Sequence, residues 1–516
     1  MTPDPSSTVE VGWRRTAIVV GVMLATLLQT LDATIVNVAL PNIEGNLGAS
    51  VDEGAWIVTT YLIAAVIVIP LTPWLHLRLG RKRFYIMAVL GFTIASTLCG
   101  LSSSFDMLVL FRTLQGLCGG GLVATAQTIL RDTFPANELN KSQMLLALGA
   151  VAGPSLGPTV GGVLTDNASW NWIFFINLVP GLASVALIWR FLRDVRPGSR
   201  RRIDYVGLML LCVALGSMEY VLNQGERYDW FSDERIAIAV SLSAIAFPTF
   251  VYWELKATTI PIVDLKVLRH AAVAAGSLLA VINGFSLFGI IVLLPQFAQG
   301  ILGFTATLSG EQVLVRALAV AAATPFTLFI LNRLRVSPVV LLSIGFLIVA
   351  IANGMQALAV TTDSSFWTFA PPLALGGFGF AFLSTPLNVS VLRSVSQNET
   401  PKAAAFVSLS QQLGGSLATA VLLTFVDRRL TFHSDVLAGY ATLSRPVVHS
   451  FIDHHSVNAL NVLIQHQSAA TSFGDVSWLL AVVTTMALPL TFFMLKRFNT
   501  TTAGVQFSRP PLRGRP

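Results

Sequence analysis

The residues able to do chemistry in this 516-residue chain are few, and they stand in apolar surroundings. Asp32 lies in LQTLDATIVNVALP, about two turns before Pro41, with Gln29 one turn behind it. An ionisable side chain inside an apolar stretch is costly and usually functional. Asp32 has two readings. It is a carboxyl that binds and releases a proton or pairs with a cationic substrate, or it is a carboxylate that caps or pairs with a neighbouring helix. Arg112, Gln115, Gly116 and Gly119 fall at i, i+3, i+4 and i+7, one helix face. Lipid offers an arginine no partner, so Arg112 must face protein or water. Asp32 is the best candidate for its counter-charge. Pairing and burial act in opposite directions on a carboxyl's proton affinity, so such a pair is tunable by conformation. A static ion pair that fixes helix packing is the other reading.

A second pattern is LGAVAGPSLGPTVGGVL. Gly149, Gly153, Gly157 and Gly161 are spaced by four, with Gly162 beside the last. Small residues at this spacing let helix backbones approach closely in lipid. Pro154 and Pro158 remove backbone donors in the same stretch and invite a bend. The ridge is either tight static packing or a hinge or sliding seam. Glu219, in GSMEYVLNQG, is expected as a snorkelling carboxylate at the outer end of its apolar run, with a substrate or proton contact as the alternative. Glu311 and Arg316 are expected to form a local charge pair. Asn283, Asn388, Gln411 and Gln412 read as interhelical hydrogen-bond partners or cavity lining. Asp453, His454 and His455 are adjacent rather than helically spaced, which fits a solvated cluster better than a metal site. Cys99, Cys118 and Cys212 sit singly in apolar runs as packing residues. No phosphate-binding loop, nucleophile elbow or H-E-x-x-H motif is present. The expectations are therefore no catalytic residues, no metal and no cofactor.

These residues need elements that hold them out of water. The chain is 54% hydrophobic and only 11% charged, with a mean hydropathy of +0.70. Soluble chains carry about 25% charge, so a soluble enzyme is excluded and the solvent is a bilayer. Fourteen apolar runs are long enough to span it, each near the ~20 residues a helix needs. They begin at 17–40 and end with 404–426 and 476–495. Of the 33 Lys and Arg, 26 fall in one alternating set of loops and tails and five in the other. By the positive-inside rule the rich set is cytoplasmic, both termini with it. The net charge of +7 is thus topological and speaks against a nucleic-acid partner. The chain divides into an N-terminal cytoplasmic tail 1–16, a six-helix bundle 17–192, a basic linker with two inserted helices 193–270, a second six-helix bundle 271–495 and a cytoplasmic tail 496–516. The segment 427–475 reads as one long extracytoplasmic loop carrying a short helix.

LDATIVNVALPNI, RLGRKRF, LFRTLQGLCGGG and GAVAGPSLGPTVGG resemble motifs of the major facilitator superfamily. More narrowly, the chain resembles the fourteen-helix drug:proton antiporters of the EmrB/QacA type. Asp32 occupies the acidic position of the first-helix motif. Arg78, Gly80, Arg81 and Lys82 match the basic half of the gating-loop signature, and Arg112 and Gly116 the fourth-helix motif. The resemblance implies an all-α major facilitator fold of two six-helix bundles with two helices inserted between them. It implies alternating access around a central site and proton-coupled efflux of amphipathic or hydrophobic compounds across a bacterial inner membrane. The proton would be the coupling ion, with Asp32, Arg112, Gln29, Gln115 and Glu219 as the coupling and substrate group. Two readings stand beside this one. The chain is the inner-membrane subunit of an assembly with a periplasmic adaptor and an outer-membrane channel, or a carrier for one metabolite or siderophore. Pro73 and Leu77 stand where the gating signature carries Gly and Asp, which implies an incomplete charge network at that gate.

Overall fold

The computed structural model describes residues 9–194, 203–258, 261–442 and 445–492. Arg196, Arg200, Arg201 and Arg202 of the expected linker, most of the first tail and the whole of 496–516 lie outside them. Fourteen helices are long and apolar enough to cross a membrane. They are α1 Gly12–Leu47, α2 Glu53–Leu79, α3 Arg81–Gly100, α4 Phe105–Thr133, α5 Leu139–Asn167, α6 Trp172–Phe191 and α7 Tyr205–Gln224. The rest are α8 Glu234–Ala257, α9 Ala271–Gly300, α10 Thr307–Asn332, α11 Pro338–Ala359, α12 Phe366–Arg393, α13 Thr400–Tyr440 and α14 Val457–Phe492.

Local sequence sets the helix ends. Ser50 and Glu53 form a reciprocal capping box before α2, with Ser50 N–H donating to Glu53 Oε2 at 2.7 Å. This satisfies donors that a helix start leaves bare. Asp204 caps α7 by accepting from Gly207 N–H at 2.9 Å. Gly80 alone joins α2 to α3 at φ 83°, a conformation a side chain would strain.

Helices α1 to α6 pack around one another, α9 to α14 do the same, and α7 with α8 lie outside. The two halves meet along two seams, α5 on α10 and α2 on α13. The α7 helix covers the second seam by packing on both of its members.

The glycine ridge faces α1, inside the first half. A Cβ on Gly153 would lie 2.0 Å from Thr30 Oγ1 and 2.6 Å from the Leu31 backbone nitrogen. One on Gly157 would lie 2.2 Å from Thr34 Oγ1, and one on Gly161 2.9 Å from the Ile35 carbonyl oxygen. Of the two readings of the ridge, these contacts fit close packing: its glycines meet α1 within the first half. Gly162 is buried beside it. Pro158 has no N–H for the Pro154 carbonyl, and the Thr34 hydroxyl donates to that oxygen at 3.4 Å instead. The helix stays continuous across both prolines.

The expected loop 427–475 is mostly helix. The α13 helix runs 41 residues, about 60 Å at 1.5 Å per residue, and so projects well beyond a bilayer core of about 30 Å. The short helix Pro446–His454 turns the chain into α14. Arg429 Nε and His433 Nε2 meet Asp475 Oδ2 at 2.6 and 2.8 Å, tying α13 to α14. Hydropathy marked only the apolar part of each helix, because the projecting part needs no apolar surface.

The ridge gives a graded prediction. Gly153→Val meets backbone and should destabilise the detergent-solubilised protein by about 1–3 kcal/mol, as overpacking does. Gly149→Ala places its Cβ 3.6 Å from Thr26 Cγ2 and should leave the melting temperature nearly unchanged. Equal losses from the two would refute this packing.

Candidate functional site

Asp32 sits at the middle of α1 and Arg112 on the facing turn of α4, held close because Gly116 and Gly120 let α4 touch the α2 backbone. Both side chains are buried, at 0% and 1% exposure. Arg112 Nη1 donates to Asp32 Oδ2 at 2.6 Å. Gln115 Nε2 and Asn177 Nδ2 donate to Asp32 Oδ1 at 2.8 and 3.1 Å. Arg112 also donates to Gln115 Oε1 at 2.7 Å and from Nε to the Ile57 carbonyl at 3.3 Å. The Tyr61 ring covers the guanidinium at 4.4 Å. Asn177 is oriented in turn by Ser96 at 2.9 Å.

Gln29 does not join this group. Among the described residues its Oε1 has no hydrogen-bond partner, and its backbone carbonyl accepts from Tyr61 OH at 3.5 Å. Glu219 is not a snorkelling residue either. It is fully buried, because α7 lies against the α2–α13 seam rather than against water. Its Oε1 accepts from the Ser416 hydroxyl of α13 and from Asn223 Nδ2 at 3.1 Å. Among the described residues its Oε2 has no partner.

A cavity of about 360 Å³ lies between the halves; Asn223 and Ser416, the partners of Glu219, line it, as does the turn of α1 that follows Asp32. Thr34, Asn37 and Pro41 of α1 line it, with Pro158 of α5, Asn223 of α7, Gln296 of α9 and Gln412 and Ser416 of α13. Asn37, Pro41 and Gln296 are exposed, so the cavity opens at the end where α1 finishes.

The opposite, arginine-rich end is closed by bonds between the halves. Arg131 donates to Thr400 Oγ1, and to the Val395 carbonyl at 3.1 Å. Gln397 Nε2 donates to Asp132 Oδ1 at 2.9 Å, Arg393 to Asn140 Oδ1 at 3.0 Å, and Gln127 to Asn388 Oδ1 at 2.8 Å. Ser396 shapes the 394–399 turn by donating to Glu399 Oε2 from its hydroxyl at 2.8 Å and its amide at 3.2 Å. These two bonds, with His270 adding to them, hold the Glu399 carboxyl below its ordinary pKa.

Of the gating-loop residues, Arg81 enters this closure through an ion pair with Asp132. Arg78 stacks over Trp74 at 5.3 Å, and Lys82 makes no ion pair among the described residues. Leu77 itself brings no carboxylate to this network, and the acid that meets Arg81 is Asp132 of α4. Arg316 corrects a further expectation. Glu311 is exposed, whereas Arg316 is buried with Nε and Nη1 unpartnered and lies over the Phe380 ring at 5.4 Å. Five positions carry the two side chains to different faces of α10.

Asn177, Ser96, Asp132 and Gln397 were missed from the sequence. Asn177 interrupts FFINLVPG, and a lone amide in an apolar run is the signal that marks it. The others stand at helix ends or among common polar residues, where no pattern distinguishes them.

Two halves, two seams, a largely apolar cavity with scattered amides and hydroxyls open at one end and a bonded closure at the other define a membrane transporter of the alternating-access class. The Major Facilitator Superfamily profile matches residues 22–419. The chain belongs to that superfamily. It is 34% identical over 415 residues to the multidrug export protein EmrB of Escherichia coli, covering 80% of each chain. It is 30% identical to the fatty acid resistance protein FarB of Neisseria gonorrhoeae, covering 85% of this chain and 86% of that one. Among solved structures, the proton:xylose symporter XylE shares the fold at a TM-score of 0.60 and 14% identity, covering 94% of this chain and 96% of that one. An inward-facing bacterial homologue of the Spinster transporter does so at 0.59 and 15%, covering 94% and 99%.

Two outcomes test the site. Arg112→Gln strands a buried carboxylate and should cost about 3–5 kcal/mol in thermal unfolding. Adding Asp32→Asn should recover part of that loss, and an additive double mutant would show the pair to be uncoupled. Asp132→Asn weakens the closure, so spin labels placed across the arginine-rich end should move apart. An unchanged distance distribution would show that the closure rests elsewhere.

Proposed function

We propose that this chain is a proton-driven exporter of amphipathic small molecules in a bacterial inner membrane, with its arginine-rich end and both termini cytoplasmic. One observation carries the reading: the cavity between the halves is open away from the arginine-rich end, while hydrogen bonds between the halves seal that end. This is the outward-open arrangement of an alternating-access exporter. Relatives named for multidrug export and fatty acid resistance favour amphipathic substrates over a single metabolite or siderophore.

The coupling ion in this reading is the proton. Asp32 is adjacent to the cavity-lining stretch of α1. A proton on Asp32 weakens its hold on Arg112 and frees α1 to shift, which reshapes the wall formed by Thr34 and Asn37. Loss of that proton to the cytoplasm restores the pair. Each charge moving inward supplies about 2.3 kcal/mol per 100 mV. Glu219 reaches the cavity through Asn223 and Ser416 and has no counter-charge in contact among the described residues. It is assigned to cationic substrates or to a second proton.

A periplasmic adaptor is a compatible partner. The projecting end of α13 and the start of α14 expose Val436, Tyr440, Val462 and Leu463, apolar side chains in a region beyond the bilayer. Shortening this hairpin should lower co-purification of an adaptor without altering transport by the isolated protein.

In proteoliposomes, an imposed pH gradient should drive uptake of a lipophilic cation such as ethidium. Asp32→Asn should abolish the gradient dependence and keep substrate binding. Glu219→Gln should weaken transport of cations more than of neutral compounds. Transport indifferent to protonophores would sink the proton-driven reading.

A further inference from the structure

A second cavity, of about 610 Å³, lies between α7, α8 and the α2–α13 seam. It is separate from the transport cavity and nearer the arginine-rich end. Its walls are apolar, among them Leu211, Leu215, Phe250, Leu409 and Leu413. Phe247 and Leu255 on its margin are 46% and 42% exposed, so it opens sideways toward lipid. The segment 261–269, which returns the chain from α8 to α9, forms one rim. Ile262, Val263 and Val267 of this segment are buried, while Lys266 and Arg269 are exposed at the cavity.

Those two cations have no carboxylate within ion-pair distance among the described residues. Of the nearby acids, Asp264 accepts from Lys402 Nζ at 2.6 Å and feels the charge of Lys266, Glu399 meets His270 at 3.4 Å, and Glu254 is buried beside Val263. An apolar cleft that opens into a bilayer and ends in two exposed cations is complementary to an amphiphile with an acyl chain and an anionic head. Lys266 and Arg269 stand beyond the ends of α8 and α9, where a membrane places its headgroups. Basic pockets between membrane helices bind such heads, and each cation near an anionic surface contributes about 1 kcal/mol.

We propose that this cleft is a binding site for an anionic phospholipid of the leaflet at the arginine-rich end. One acyl chain fills the cavity and the phosphate sits between Lys266 and Arg269. The walls come from α2 of the first half, α13 of the second and the inserted pair. The lipid therefore bridges the halves on the side where their closure lies, and rearrangement of the seam changes its site.

The test uses the full chain, purified in detergent and stripped of lipid, with binding followed by native mass spectrometry and thermal shift. The probes are a phosphatidylglycerol, a phosphatidylcholine with the same chains, and glycerol phosphate without chains. Phosphatidylglycerol should bind with a clear preference over both. The pair Lys266→Gln and Arg269→Gln should weaken it about 30-fold, about fivefold per cation. Arg333→Gln with Arg335→Gln removes equal charge at a distance and should leave binding nearly unchanged. Leu215→Trp should expel the chain and keep the cations. A variant is read only where its lipid-free melting temperature matches the parent. The proposal is overturned if phosphatidylcholine binds as well, if glycerol phosphate alone competes, or if the distant arginine pair matters as much. It is equally overturned if ethidium occupies the cleft and phosphatidylglycerol does not.

Discussion

A buried charge in a bilayer protein must be answered by other protein groups, and the first half of this molecule is arranged around that requirement at Asp32 and Arg112. Removing two ions from water costs several kcal/mol each, and their attraction repays it only when the remaining lone pairs and protons are also satisfied. Here Asp32 accepts from Arg112, Gln115 and Asn177, and Arg112 reaches the Ile57 carbonyl under the Tyr61 ring. The donors come from α4 and α6, the acceptor carbonyl from α2 and the carboxylate from α1. One ion pair thereby fixes the relative positions of four helices, and a change in its charge state is felt by all of them.

The contacts within a half and the contacts between halves are of different kinds. Within the first half, α5 meets α1 through glycines whose missing Cβ atoms leave room for a neighbour's backbone and threonines. Such contact is lost altogether when helices separate, so it suits parts that stay together. Between the halves at the closed end, the bonds run from Arg131, Gln397, Arg393 and Gln127 to a backbone carbonyl, a hydroxyl, two side-chain amides and one carboxylate. Interhelical hydrogen bonds of this type contribute about 0.6 kcal/mol on average in membrane proteins, and their donors and acceptors are met by water when the end opens. Rigid halves joined by exchangeable bonds are what a rocking molecule requires.

The sequence carried the features that depend on composition and spacing. Apolar run length gave the fourteen spans, and the i, i+3, i+7 placement of Arg112, Gln115 and Gly119 led to the partnership with Asp32. It did not carry features that depend on which face meets which neighbour. The glycine spacing announced close packing, yet only the fold shows that the partner is α1 and not the other half. Glu219 lies near the end of an apolar run, which suggested water; α7 instead lies against a seam, and the carboxylate is buried. Leu77 suggested a defective gate because a motif is read along the chain. The acid that meets Arg81 is Asp132, 55 residues from Leu77 and outside that motif. The 427–475 segment was misjudged because hydropathy marks where a helix crosses lipid, not where it stops.

The two seams are not equivalent, and the inserted pair is the reason. The α5–α10 seam is made of direct helix contact, with Gly310 against the Thr159 backbone. The α2–α13 seam carries α7 across it. Gln224 Nε2 donates to Thr59 Oγ1 of α2 at 2.8 Å. On the other side the Ser416 hydroxyl of α13 donates to Glu219, and Trp230 Nε1 donates to Thr424 Oγ1 of α13 at 3.0 Å. The strap therefore holds both halves at once, at the level of the open cavity. Any motion that closes this cavity must break or carry along the bond between Ser416 and Glu219, a carboxylate with no counter-charge in contact among the described residues. The pair α7 and α8 thus places an acidic group where the change in shape is largest, a position that two six-helix bundles alone would leave to lipid.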